Sequence, residues 1–215
     1  IAAASDVYKR QTITDADSAN LASATVSITG NFQTSEDLLA FTNAGSISGN
    51  YNSLTGVLTL TGAATVADYQ NALRSVTYTN SSETPNTSTR TISFVVNDGI
   101  SNSNTATKDV SVTSTNDAPV VTTNAGVTPF TEGNNTTSTP VVVDSAITVT
   151  DIDNNTFASA TVAITGSFQS GEDVLGFVNT NSTLFGNIVA SYNSSTGVLN
   201  LASAGATATV AQWQA

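Results

Sequence analysis

Acidic side chains are the groups in this sequence whose types and spacing could do chemistry. Eleven of the sixteen carboxylates stand in short motifs: Asp15 and Asp17, Glu36 and Asp37, Asp98, Asp117, Glu132, Asp151 and Asp153, Glu172 and Asp173. Two unit charges about 4 Å apart repel by roughly 4 kcal/mol at an effective dielectric of 20. If these groups converge in the fold, a cation must offset that repulsion. Histidine and cysteine are absent, which removes the commonest general base, thiol nucleophiles and soft-metal ligands. Carboxylate, amide and carbonyl oxygens suit a hard ion, and flexible loops favour Ca²⁺ over Mg²⁺. Paired carboxylates also hydrolyse glycosides. Here the same acids recur in both halves without any further catalytic group, so the chain reads as no enzyme.

Each motif has a structural alternative. Asp-x-Asp before a strand also makes a turn with Asx hydrogen bonds. Asn97-Asp98-Gly99 is a common hairpin turn, and Glu36-Asp37 could simply solubilise a loop. Tyr51, Tyr192, Tyr69 and Trp213 recur at matching positions, as core or end-packing residues do. The net charge of −11 repels nucleic acid and anionic membranes and favours cations. No apolar run approaches the roughly 20 residues needed to span a bilayer, so this segment is expected to insert in no membrane.

The elements that position these acids are written twice. Ala22-Ser23-Ala24-Thr25-Val26-Ser27-Ile28-Thr29-Gly30 returns as Ala158-Ser159-Ala160-Thr161-Val162-Ala163-Ile164-Thr165-Gly166. Asp15-Ala16-Asp17 and Glu36-Asp37 return as Asp151-Ile152-Asp153 and Glu172-Asp173, at an offset of 136 residues. By Tyr51 and Tyr192 the offset is 141, so the second copy holds a longer loop around residues 181–188. A period of this length marks tandem domains rather than a short solenoid unit. The expected domains are 1–117 and 118–215.

Both copies read as truncated. The second lacks everything matching residues 72–112, where periodicity predicts three strands. The first lacks an opening strand, the expected counterpart of residues 127–139. Residues 5–11, Ser-Asp-Val-Tyr-Lys-Arg-Gln, hold two of the five basic residues and look like a translated adapter scar, with a variant strand as the alternative. The absent strands predict a second unit that is marginal alone.

Alternation argues an all-β fold. Ala24, Val26 and Ile28 alternate with polar residues; Ile92, Phe94 and Val96, and Val110 and Val112, continue the pattern. Thr55-Gly56 and Thr196-Gly197 mark turns before such runs. Thr65-x-x-Asp68 and Thr209-x-x-Gln212 resemble capping boxes and predict one short helix per copy. The fold class expected is tandem immunoglobulin-like Greek-key β-sandwiches.

With these motifs in place the chain resembles a family. Ser114-Thr115-Asn116-Asp117-Ala118-Pro119-Val120 is similar to the cadherin linker, Asp-x-Asn-Asp-Asn-x-Pro. Glu132-Gly133 stands where a cadherin domain has its Pro-Glu-Gly glutamate, Asp151-Ile152-Asp153 where it has Asp-x-Asp, and Asn97-Asp98-Gly99 resembles its late Asp-Gly loop. After Thr12 the whole chain is more similar still to the cadherin-like tandem repeats of giant bacterial surface proteins and RTX-type adhesins. The resemblance implies calcium between successive domains. Asn116 and Asp117 would join Asp151 and Asp153, with Asp98, or else Asp68, approaching from the first copy. Asp15 and Asp17 are the equivalent pair of the first repeat, and Glu132 would serve the following junction. Ala118 replaces the linker's second Asn, and the family's Asp-Arg-Glu is at best Asp68-Tyr69-Gln70. One or two ions are therefore expected rather than three.

The implied function is an extracellular structural and adhesive module, a calcium-stiffened spacer of a bacterial cell-surface or secreted adhesin. Its partners would be adjacent repeats of the same chain and a host-cell, glycan or homotypic surface. Few lysines and no cysteine suit the export of an unfolded chain by type I secretion. The alternative is a module recognising polysaccharide or protein through exposed loops such as residues 181–188.

Overall fold

The computed structural model describes residues 12–43 and 45–215; the expectations for residues 5–11 lie outside the described residues. Two compact units result, the first ending at Thr115 and the second running from Asn116 to Ala215. The boundary falls two residues earlier than the sequence suggests, because Asn116 and Asp117 are bonded to the Asp151–Asn154 turn of the second unit.

The first unit is an antiparallel β-sandwich. Its elements are β1 (Asn20–Gly30), β2 (Asp37–Ala40), β3 (Ser48–Asn52), β4 (Val57–Thr65), helix α1 (Val66–Arg74), β5 (Thr77–Asn80), β6 (Arg90–Asn97) and β7 (Ala106–Val110). The three strands expected within residues 72–112 are β5, β6 and β7. One sheet has the order β3-β4-β1-β6-β7, while β2 pairs with β5. Central β1 thus takes both partners from far along the chain. Its alternation resolves as expected: Ala24, Val26 and Ile28 are buried against Leu58, Leu60, Ile92 and Phe94. Leu39 of β2 and Tyr78 of β5 close the same core from the second layer. Each fully buried aliphatic side chain contributes about 1.5–3 kcal/mol.

Two local devices shape this unit. Helix α1 opens on a capping box: Thr65 Oγ1 accepts from the Asp68 N–H at 3.1 Å, and Asp68 Oδ2 accepts from the Thr65 N–H at 3.3 Å. Its Tyr69, Ala72 and Leu73 are buried at one end of the sandwich, the spacing that places them on one helical face. The β1–β4 ladder shifts register between Leu21 and Ser23. Opposite that bulge Gly62 has φ +130°, and a Cβ there would lie 2.0 Å from the Ser46 carbonyl oxygen.

The second unit holds β8 (Val120–Thr122), β9 (Thr148–Thr150), β10 (Thr156–Phe157), β11 (Ser159–Ala163), helix α2 (Ser182–Phe185), β12 (Ile188–Asn193), β13 (Val198–Ser203), a 3₁₀ turn (Ala204–Ala206), β14 (Ala208–Thr209) and helix α3 (Val210–Gln214). Strands β11, β13 and β12 form one sheet in that order, and β8–β9 and β10–β14 are further pairs. Val162 lies opposite Leu199 as Val26 lies opposite Leu58, so the repeated sequence keeps its register.

Two expectations are corrected here. Residues 127–139 form no strand; they are largely exposed, and the Gly133 N–H is turned onto Ser138 Oγ at 3.0 Å. The paired segment near the linker is instead β8. The second unit also has two short α-helices rather than one. Asn181 caps α2 by accepting from the Thr183 and Leu184 N–H groups, and Asn179 Nδ2 ties the loop's far side to the Gly186 and Ile188 carbonyls. The expected loop is therefore a folded one. Among the described residues, no helix is long and apolar enough to cross a membrane.

Candidate metal centre and a buried ion pair

The Asp-x-Asp motifs form matching turns in the two units. Asp15 Oδ1 accepts from the Asp17 and Ser18 N–H groups at 3.2 and 2.9 Å. Asp151 Oδ1 accepts from the Asp153 and Asn154 N–H groups at 3.1 and 2.8 Å. These are Asx turns, whose short polar side chain bonds the backbone two and three residues on. In the second unit the linker joins the turn: the Asp117 N–H donates to Asp153 Oδ2 at 2.9 Å. Asn154 Nδ2 then gathers three oxygens, Asn116 Oδ1 at 2.8 Å, Asp153 Oδ1 at 2.8 Å and Asp151 Oδ1 at 3.4 Å. Sequence reasoning did not single out Asn154. Its counterpart in the first copy is Ser18, so comparison of the repeats carried no signal for it.

The electrostatics follow from this crowding. Burial pushes Asp151 upward, but hydrogen bonds from Asp153 and from the Asn154 and Asp153 backbone outweigh it and leave the carboxyl below its ordinary value. In the first unit the Ser18 and Asp17 backbone N–H groups lower Asp15. The hydrogen bond and negative charge of Asp15 raise Asp17.

Asp98 belongs with that first-unit pair. Its Oδ1 accepts from the Ile100 and Ser101 N–H groups, each at 2.7 Å, which lowers its pKa. Its charge reaches Asp17, and that of Asp15 reaches it. Ser23 pairs with Asn97, so Asp98 sits at the sheet end where β1 begins. Arg90 pairs with Val110, so β7 finishes at the other end. Antiparallel pairing thus places Asp98 at the end of its own unit opposite the one where β7 finishes. The alternative ligand, Asp68, has its Oδ2 engaged by Thr65 in the cap. Glu132 is exposed in the residue 127–139 loop and has no hydrogen bond to the linker or to Asp151 and Asp153. Among the described residues no group of three or more carboxylates is close enough to hold a metal by itself, so linker amides and carbonyls would have to complete any site.

Glu36-Asp37 has a different outcome. Asp37 and Arg90 form an ion pair at 2.9 Å with both side chains fully shielded from solvent. Asp37 Oδ2 also accepts from the Gln33 N–H at 2.8 Å, and Oδ1 from the Tyr78 hydroxyl at 2.5 Å and Asn80 Nδ2 at 2.8 Å. Burial alone would raise this carboxyl; Arg90, Tyr78, Gln33 and Asn80 together hold it below its ordinary value. Burial, and the adjoining Asp37 carboxylate, push Tyr78 far upward. A carboxylate so saturated is a structural element. Its signal was present in the sequence, since Arg90 stands in phase with inward-facing Ile92 and Phe94. The recurring aromatics pack, as expected. Tyr51 and Tyr192 donate to the Asp37 and Asp173 carbonyls at 2.8 and 2.7 Å, Tyr69 to Gly62 at 2.8 Å, and Trp213 Nε1 to Phe157 at 3.3 Å.

The chain is similar to Halomucin of Haloquadratum walsbyi (strain DSM 16790 / HBSQ001), 36% identical over 118 residues, which is 54% of this chain and 1% of that protein. This chain therefore spans a very small fraction of a very long relative. No family model and no solved structure matches, so neither a cadherin nor an RTX assignment rests on a family match.

Proposed function

We propose that the chain is a pair of extracellular structural repeats from a long surface or secreted protein, acting as a spacer that calcium stiffens and that presents an adhesive region elsewhere. The observation that carries this reading is the gathering of linker and Asp-x-Asp oxygens around Asn154. Asn116, Asp117, Asp151 and Asp153 offer hard oxygen donors, the class Ca²⁺ prefers. A cation held by them would tie the linker to the turn before β10, fixing the direction in which the linker leaves its repeat. Stiffness then comes from restricting a few backbone dihedrals, and the same acids in the first copy make the device repeatable along an array. The similarity to a segment of a very long protein fits a repeat in such an array.

Thermal melting with calcium and with chelator tests the proposal. Calcium at about a hundredfold over its dissociation constant adds about 2.7 kcal/mol. For a unit of this size that corresponds to a rise on the order of 10 °C in Tm. The double variant Asp151→Asn with Asp153→Asn should lose the rise while melting near the calcium-free parent. Indifference of the parent chain to calcium would overturn this reading and turn attention to recognition of glycan or protein by exposed loops.

A further inference from the structure

The triplet Asn-x-Ser/Thr, with x not proline, occurs seven times, beginning at Asn80, Asn86, Asn134, Asn135, Asn154, Asn181 and Asn193. It is the pattern at which secreted chains accept N-linked sugar. A chain this rich in Asn, Ser and Thr produces it by chance, so the triplets alone decide nothing. The fold sorts them. In three, one arrangement recurs: Asn86 Oδ1 accepts from the Ser88 N–H at 2.8 Å, Asn181 Oδ1 from the Thr183 N–H at 3.0 Å, and Asn193 Oδ1 from the Ser195 N–H at 2.9 Å. Those donors fix which side-chain atom is the oxygen and leave each Nδ2 with no hydrogen bond to the protein. All three asparagines are exposed, as are Ser88, Thr183 and Ser195, whose hydroxyls bond nothing in the chain. The backbone beneath is held. The Asn86 carbonyl accepts from buried Arg90 Nη1 at 2.7 Å, Asn181 caps α2, and the Asn193 carbonyl accepts from the Thr196 and Gly197 N–H groups.

The other triplets are engaged. Asn80 is half-buried and gives its Nδ2 to Asp37 at 2.8 Å, while Ser82 Oγ accepts from the Thr84 N–H. Asn154 Nδ2 is shared among Asn116, Asp151 and Asp153. Asn135 Nδ2 lies on Asn134 Oδ1 at 3.2 Å, and neither residue accepts from the N–H two positions on. The first unit supplies an internal comparison. Asn52-Ser53-Leu54 makes the same turn as Asn193-Ser194-Ser195: Asn52 Oδ1 accepts from the Leu54 N–H at 2.9 Å, and its carbonyl accepts from the Thr55 and Gly56 N–H groups. Only the hydroxyl is missing.

We propose that Asn86, Asn181 and Asn193 are acceptor sites for N-linked oligosaccharide, transferred by an oligosaccharyltransferase from a sugar activated as its lipid-linked phosphate. In the transfer Nδ2 bonds the anomeric carbon and the bond from that carbon to the phosphate oxygen breaks. The lipid phosphate departs with the electron pair, and one Nδ2 proton passes to a base of the transferase. The hydrogen bond at Oδ1 draws electron density from the amide and eases the loss of that proton. The free hydroxyl two residues on gives the transferase a group to recognise. Sugars at these exposed, anchored turns hydrate and shield the loops that carry them. The proposal goes beyond the calcium reading and needs no cation.

The experiment treats the whole folded 215-residue chain with an oligosaccharyltransferase that requires only Asn-x-Ser/Thr and a lipid-linked oligosaccharide, and reads the occupancy of each site by peptide mass mapping. Asn86, Asn181 and Asn193 should be modified at least about tenfold faster than Asn80 and Asn154, which react only through local opening. In synthetic peptides of residues 76–92 and 150–160, free of the fold, Asn80 and Asn154 should become acceptors. Ser195→Leu should abolish transfer to Asn193. Leu54→Ser, at a residue 77% exposed, should create an acceptor at Asn52. Absence of sugar from all three sites on the folded chain would overturn the proposal, and so would equal occupancy of Asn80 and Asn154.

Discussion

Asp37 shows how differently identical residues behave in different surroundings. It shares a local motif with Asp173, yet its carboxylate is fully shielded and held by Arg90, Tyr78, Asn80 and the Gln33 N–H. Removing one member of a buried pair strands the other charge, so Arg90→Met should cost the first unit about 3–5 kcal/mol, read from exchange of the β6 amides in urea. Replacing both, Asp37→Leu with Arg90→Met, should cost clearly less. The pH dependence has a definite sign. Asp37 has a lowered pKa in the fold, so its contribution is complete above the unfolded carboxylate's pKa and is lost as pH falls through the folded value. Acid unfolding of the first unit should accordingly lose part of its steepness in Asp37→Asn, measured by circular dichroism between neutral and strongly acidic pH.

At the scale of elements, partners decide what forms. Residues around Leu39 make β2 because β5 lies alongside; the matching stretch around Leu175 remains unpaired. Helix α1 and helix α3 need no such help at their starts, because Thr65 with Asp68 and Thr209 with Gln212 close their caps locally. Thr65→Ala should cost about 1 kcal/mol. Gly62→Ala should cost more, about 2–4 kcal/mol, because φ +130° and the Ser46 carbonyl leave a side chain no space. Urea denaturation of the two variants, followed at the first unit's tyrosines, separates these outcomes. The difference between them is the difference between a bond at a helix end and a backbone approach inside the sandwich.

Across the whole molecule, the two units bury unequal cores from closely similar sequence. The large buried cluster lies in the first unit, while Val162, Val174 and Val189 of the second are exposed. Native-state hydrogen exchange should therefore show β1 and β6 far slower than β11 and β13, since opening free energy follows buried apolar contact. Equal protection in both would contradict the packing described here. Calcium should slow exchange most around residues 116–117 and 151–154, where linker and turn meet, with smaller effects on β1.

The sequence by itself determined what is local or periodic. Its repeats announced two units, its alternation announced strands and an inward face, and its capping motifs announced helices α1 and α3. Asx turns at Asp15 and Asp151 were legible for the same reason, since their bonds span two or three residues. Only the tertiary structure decided which distant groups meet. It set Asp37 against Arg90 across 53 residues, took Asp98 to the Asp15 end of its sheet, and brought Asn116 to Asn154. Such meetings depend on strand order and direction, and short-range spacing carries no record of either.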